Sequence, residues 1–176
     1  MRLSPHGEET MALFERHRNA LMRYLLSFRL AQPDAEEVVQ EVFLALFEHL
    51  RRGRSRANLD GWVFRVAHNL ALKKHRKAQR ERFVVSSEQT DPALDPEKQL
   101  AETQRQDLLL AVMKALPETD RWCLSLRAEG LRYRQIAGVL GISLGAVANS
   151  LERSLAKLSR ADETLSVNSG KSYVAK

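Results

Sequence analysis

The stretch Arg132–Leu158, RYRQIAGVLGISLGAVANSLERSLAKL, decides the fold. A short helix from Tyr133 to Leu140 meets a tight turn, Gly141-Ile142-Ser143, and a second helix opens at Leu144. Ala137 is small where two helices must approach closely. Gly141 stands where the turn wants a residue tolerant of positive φ. Ile142, Val147 and Leu151 close a small core between the helices, and Ser143 is placed to satisfy a free N–H at the start of the second one. This is a helix-turn-helix, which presents its second helix to a DNA major groove. Outward positions on that helix include Ala148, Asn149, Glu152 and Arg153. Asn149 suits adenine and Arg153 suits guanine. Ala148 and Glu152 add nothing to phosphate attraction, so the face is weakly basic. A plain helical hairpin is the competing reading, and it leaves the coincidence of small residue, turn glycine, apolar turn residue and cap unexplained.

Outward from this motif the chain reads as all-helical. Its apolar residues recur at three- and four-residue intervals and strand signals are nearly absent. The 176 residues suit two small domains, each with a core only marginally able to stand alone. Net charge is +6 and the pI is about 9.8, a first hint of a nucleic-acid partner. The single cysteine, Cys123, forbids an internal disulfide and fits a reducing cytosol. Met1 to Thr10 is polar and unlike a signal peptide, and no apolar run approaches a membrane span. A soluble, cytoplasmic protein is expected.

Five helices are expected before the motif's pair. The first runs from about Glu9 to Arg29 and buries Leu13, Phe14, Leu21, Leu25 and Phe28. Pro33 closes the next connection, and Asp34 reads as an N-cap with Glu37 three residues on. The second helix carries Ala35, Val38, Val39, Val42, Leu46 and Leu50 on one side and shows Glu36, Glu37, Gln40, Glu41 and Glu48 outward. A loop with Arg51, Arg52, Arg54 and Arg56 follows, and Asn58 is the expected cap of a third helix reaching about Arg82. That helix has an apolar stripe of Leu59, Trp62, Val63, Val66, Ala67 and Leu70, with Arg65, Asn69, Lys73, Arg76 and Arg80 opposite. Lys73 to Arg82 holds six basic residues against one acid. Phe64 and Asn69 beside this charge suggest a single-strand binding surface, on which bases stack while cations neutralise the backbone. Ser86-Ser87, Asp91-Pro92 and Asp95-Pro96 break any helix and mark an interdomain linker. The fourth helix, Glu97 to Leu116, stops at Pro117. The fifth, Glu118 to Glu129, ends on Gly130. The motif's last helix is expected to reach about Arg160. The reading is thus a first domain over residues 9–82, a flexible linker over 83–96, a second domain over 97–160 and a disordered tail over 161–176.

The segments Asp34–Phe47 and Gly61–Leu72, the basic run after the latter, Leu116-Pro-Glu and Gly130–Leu158 together resemble the extracytoplasmic-function (ECF) sigma factors of bacterial RNA polymerase. The resemblance spans about Met11 to Arg160, with its motifs in the right order and spacing. It implies that Glu37, Gln40, Glu41 and Leu44 lie against the clamp helices of core RNA polymerase. The loop Arg51–Asp60, including Arg54 and Arg56, would with Asn69 hold a base flipped from the −10 element, to which Arg65 would also bind. Lys73, Arg76, Lys77 and Arg80 would hold its phosphates. Tyr133, Ser143, Ala146, Asn149 and Arg153 would address the −35 element of promoter DNA. An anti-sigma factor covering these surfaces is a further implied partner. Where the family usually carries threonine, lysine and arginine, this chain has Ala146, Ala148 and Ser150.

Other classes fit less well. No cofactor or metal site is expected: His68 and His75 are two potential ligands on one helix and do not close a zinc site. Neither a Gly-rich phosphate loop nor a nucleophile elbow occurs, so no enzyme is expected. A helix-turn-helix regulator acting on duplex DNA without core polymerase leaves the acidic helix followed by a basic one unexplained. A sigma-like interaction protein that has lost promoter reading agrees with the bland recognition helix.

Overall fold

The computed structural model describes residues 4–84 and 100–171. The elements are α1 (Pro5–Leu26), α2 (Gln32–Arg51), α3 (Leu59–Val84), α4 (Leu100–Ala115), α5 (Glu118–Ala128), α6 (Tyr133–Leu140) and α7 (Leu144–Lys171). Among the described residues there is no strand. The chain is all-α and forms two small helical domains, α1–α3 and α4–α7. The expected linker falls mostly on residues 85–99, outside the described residues.

Local chemistry explains most boundaries. Ser4 caps α1, accepting a hydrogen bond from the Gly7 N–H at 3.2 Å, with Pro5 opening the helix. The helix therefore starts a turn before Glu9. Pro33 sits inside the first turn of α2, where its missing N–H costs nothing, and Ala31 occupies the cap position. Asp34 is thus not the N-cap; it is a first-turn acid facing the positive end of the helix dipole. Asn58 does cap α3: its side-chain oxygen accepts from the Gly61 N–H at 3.2 Å while its own φ is 55°. Ser143 caps α7, accepting from the Ala146 N–H at 3.1 Å. Gly141 has φ 68° and ends α6 in the left-handed region, as the turn requires. Past Arg160, α7 continues as helix to Lys171, through much of the segment that polarity marks as a disordered tail.

The buried faces of α1 and α2 are those expected, with Leu21, Leu25, Val38, Val42, Leu46 and Leu50 all sealed. On α3 the face is rotated. Val63, Phe64, Ala67, His68 and Ala71 are buried, while Trp62, Val66 and Leu70 are half-buried. The rotation arises because α3 is covered on two flanks, by its own domain and by the second one.

The joint between the domains is aromatic at its centre. Phe28 stacks on Trp122 with centroids 4.8 Å apart, and His68 meets the same indole edge-on at 5.0 Å. The Tyr24 hydroxyl hydrogen-bonds Nδ1 of His68 at 2.8 Å. Two arginines reach across in opposite directions. Arg121 donates from Nε to the Ser27 carbonyl at 2.9 Å, at the end of α1, and Arg29 donates to the Lys114 carbonyl at 2.9 Å. Arg23 and Glu129 form a bidentate pair at 2.8 and 2.6 Å on the rim. One hydrophobic core runs through both domains as a result.

Burial of His68 lowers its pKa from 6.5 to about 4. The neutral ring is the folded form, so the unfolded chain takes up a proton first as pH falls. The stability contributed by the neutral His68 should therefore be complete above about pH 6.5, decline toward pH 4, and be gone below it. The loss is on the order of 3 kcal/mol. Urea denaturation at a series of pH values should show this decline in the native chain and a flatter profile in His68→Gln.

Candidate nucleic-acid interface

α3 starts at the Asn58 cap, and that cap fixes the arginine-rich loop before it. A Cβ on Gly61 would lie 2.4 Å from Asn58 Nδ2, so only glycine allows the cap to close. The loop is anchored on both sides. Arg56 pairs with Glu9 of α1 at 3.1 Å, and Asp60 meets His17 at 2.6 Å and Arg16 at 3.7 Å. His49 reaches the Ser55 carbonyl at 2.8 Å while packing on Trp62, centroids 4.7 Å apart. Between loop and α1 lies a groove of about 350 Å³ lined by Glu9, Arg16, Arg56, Asn58, Leu59 and Asp60, among others. Arg54 stays exposed at its edge of the loop.

Along α3, Arg65, Asn69, Lys73, Arg76, Lys77 and Arg80 are all exposed. Arg65, Asn69, Lys73, Arg76 and Arg80 follow one another at three- and four-residue steps, a single stripe of helix surface. Lys77 stands beside it, 4.0 Å from Glu81. Lys74 turns the other way and ties α3 to α2, bonding Glu37 at 2.7 Å with Asp34 at 3.7 Å. The hydrogen bond to Glu37 raises its pKa against the opposing effect of burial. Phe64 is not available for base stacking. It is 2% exposed and packs against Tyr24 and His17, because the rotated face of α3 carries it into the core. Trp62 is half-buried against the loop through His49.

The acidic face of α2 is partly consumed within the domain. Glu37 holds Lys74, and Glu48 holds Arg51 at 2.9 Å and Arg52 at 3.6 Å. Gln40, Glu41 and Leu44 stay exposed, Leu44 to 66%.

In the second domain, Tyr133, Ser143, Ala146, Asn149 and Arg153 lie on the helix-turn-helix, and all five are exposed. Arg127 lies over the Tyr133 ring at 6.0 Å. Asn149, Ala146 and Arg153 share a groove of about 580 Å³ with Pro117, Thr119 and Lys157. The two surfaces meet where Gln135 of α6 reaches Asn58 of the loop at 3.5 Å. Among the described residues no three His, Cys, Asp or Glu side chains gather as a metal would require, and no helix is long and apolar enough to cross a membrane.

Comparison with known proteins agrees with this arrangement. Sigma-70 region 2 matches residues 13–81, and sigma-70, region 4 matches residues 99–158. The ECF RNA polymerase sigma factor SigL of Mycobacterium tuberculosis is 31% identical over 145 residues, covering 80% of this chain and 81% of SigL. The ECF RNA polymerase sigma factor SigE of Mycolicibacterium smegmatis is 33% identical over 137 residues, 74% of this chain. The aligned part makes up 53% of SigE, so the chain spans about half the length of that relative. Two solved structures share the fold. CnrH in complex with the cytosolic domain of CnrY gives a TM-score of 0.60 at 24% identity, covering 88% of each chain. RpoE in complex with the anti-sigma factor NepR from Bartonella quintana gives 0.68 at 19%, covering 89% of this chain and 98% of RpoE. The chain belongs to the ECF RNA polymerase sigma factors.

Gly61→Ala should cost about 1–2 kcal/mol, the usual worth of a lost N-cap, with Asn58→Ala giving a similar loss and the double variant little more. Chemical denaturation of the three variants measures this. On single-stranded DNA, each alanine at Lys73, Arg76 or Arg80 should reduce the slope of log affinity against log salt by about 0.7. Fluorescence anisotropy titrations over a range of salt would show it.

Proposed function

We propose that this chain binds core RNA polymerase as its promoter-specificity subunit and opens the −10 element by strand capture. The first domain, residues 9–82, carries polymerase binding and strand capture; the second, residues 97–160, carries duplex reading. The observation that carries the reading is the placement of two opposite surfaces on neighbouring helices. Gln40, Glu41 and Leu44 of α2, with Glu37 beside them, suit the polymerase clamp helices. The basic stripe of α3 and the groove beside Asn58 suit a displaced strand. Capturing a flipped base costs a few kcal/mol of unstacking. Phosphate contacts from Lys73, Arg76, Lys77 and Arg80, and polar contacts from Arg54, Arg65 and Asn69, offset that cost. Arg56 acts indirectly, by holding the loop to Glu9. Asn149 and Arg153 read the −35 duplex from α7, with Tyr133, Ser143 and Ala146 against its backbone. No covalent bond is made or broken by the chain in this scheme, and it works in the cytoplasm, where promoter and polymerase are found.

The joint sets a condition on this mechanism. The two promoter elements lie about 25 base pairs apart, roughly 85 Å at 3.4 Å per pair. Domains that touch at Gln135 and Asn58 do not reach both. Fifteen residues join Val84 to Leu100, enough chain to let the domains separate by up to about 50 Å once the joint parts. Core polymerase supplies the force for this by binding the separated domains better than the joined ones. An anti-sigma factor does the reverse by covering the exposed face of α2 or holding the joint shut, as befits a relative of chains solved with such partners.

In vitro transcription with bacterial core polymerase and promoter DNA from the same genome tests the proposal. Discrete start sites should appear only with the protein and vanish in the double variant Gln40→Ala/Glu41→Lys. Tight duplex binding by the chain alone, with no association with core, would overturn it in favour of a free-standing regulator.

A further inference from the structure

Arg153 does not hang freely from the recognition helix. Its Nη2 donates to Oδ1 of Asp120 at 2.8 Å and its Nε to Oδ2 at 3.4 Å. Asp120 stands in the first turn of α5 and is 2% exposed. Its Oδ1 also accepts from the Ser150 hydroxyl at 2.6 Å, and Ser150 is itself buried. Burial pushes the carboxyl up, but hydrogen bonds from Arg153 and Ser150 prevail and hold it below its ordinary range. The carboxylate is therefore charged, sealed under the helix and locked in orientation. It grips the guanidinium along one edge only, the edge formed by Nε and one hydrogen of Nη2.

The opposite edge, both hydrogens of Nη1 and the second of Nη2, remains for a ligand, on a side chain 59% exposed and lining the 580 Å³ groove. That end-on fork has the spacing of O6 and N7 of guanine in the major groove. An unsupported arginine samples many rotamers and loses that freedom on binding; here a buried carboxylate has already chosen one. The neighbours are small, Ala146 and Ser150, so nothing crowds the fork. No second long cation on that turn competes for the base, and Lys157, one turn on, is left for the phosphate.

We infer that Asp120 is a positioning residue for promoter recognition, aiming the free edge of Arg153 at one guanine so that base selectivity of the second domain concentrates on that single contact. The inference rests on the proposed reading of this domain as a −35 binder. It also accounts for the short residues at positions 146 and 148: with one arginine pre-aimed, further cations on that face would add affinity without sequence information.

The test uses holoenzyme assembled from core polymerase and the full chain, on a promoter pool randomised through the −35 element, with transcribed templates sequenced. The native chain should select guanine at one position, and Arg153→Lys, which keeps the charge but lacks the fork, should abolish that selection. Asp120→Asn should lower it about tenfold, the size of one good base contact, and leave preferences at the other positions and transcription from a pool member lacking guanine unchanged. Ser150→Ala, which frees Oδ1 but keeps the carboxylate, should give a smaller loss at the same position; it carries the test if Asp120→Asn lowers the helical circular dichroism. A guanine preference lost in Arg153→Lys but intact in Asp120→Asn and Ser150→Ala overturns the inference. An equal loss at every position in Asp120→Asn shows a merely structural carboxylate and overturns it too. A uniform loss in Arg153→Lys makes the arginine a phosphate contact and overturns it as well. Holoenzyme that forms but ignores the −35 sequence, or a chain that forms none, defeats the −35 reading beneath it.

Discussion

Everything in this molecule depends on the contact of Phe28 and His68 with Trp122. Two helical domains of this size have little interior of their own, and the aromatic joint gives them a common one. Stacked and edge-on aromatic pairs add about 0.5–1.5 kcal/mol beyond the area they bury. The crossed arginines add direction. Each donates to a backbone carbonyl near a helix end of the other domain, so the carbonyls that a helix leaves unpaired become the docking points. Such a joint is specific in register yet modest in strength, which suits the proposal that it parts when a larger partner arrives.

The topology also sorts charge. α3 is the central helix, buried on one broad face by α1, α2 and the second domain along its first half, and exposed all round from Arg76 to Glu81. Filling its outward stripe with arginine and lysine gives a line of positive potential. Lys74, just off the stripe, is spent on Glu37 and stitches the basic helix to the acidic one. On the acidic helix Gln40, Glu41 and Leu44 stay outward. Opposite charges are thereby gathered on separate faces of a domain of three helices, and each surface can meet a partner of its own kind.

What the sequence revealed and what it hid divide along the range of the interactions. The helix-turn-helix, its left-handed Gly141 and the caps at Asn58 and Ser143 are written in adjacent residues, and all stand where the pattern places them. The fold class follows from periodicity alone. The rotated face of α3 does not, because the flank that buries Phe64 and His68 belongs to a domain distant in sequence. Asp34 looked like a cap because its spacing to Glu37 imitates a capping box, whereas Pro33 is accommodated within the first turn and moves the start earlier. The continuation of α7 past Arg160 leaves no apolar stripe to read. Most hidden was the bond between Asp120 and Arg153, thirty-three residues apart: each residue looks ordinary alone, and only the packing of α5 on α7 brings them together.

The position of Trp122 has one more consequence. The chain has two tryptophans, and they sit at the two places where it should change shape. Trp122 is sealed in the joint between Phe28 and His68, away from solvent. Trp62 lies at the root of the arginine-rich loop. Native emission is therefore a gauge with two dials, one reading the separation of the domains and the other the occupancy of the loop. Replacing either ring by phenylalanine isolates the other dial, and the protein can be watched opening without attaching a dye.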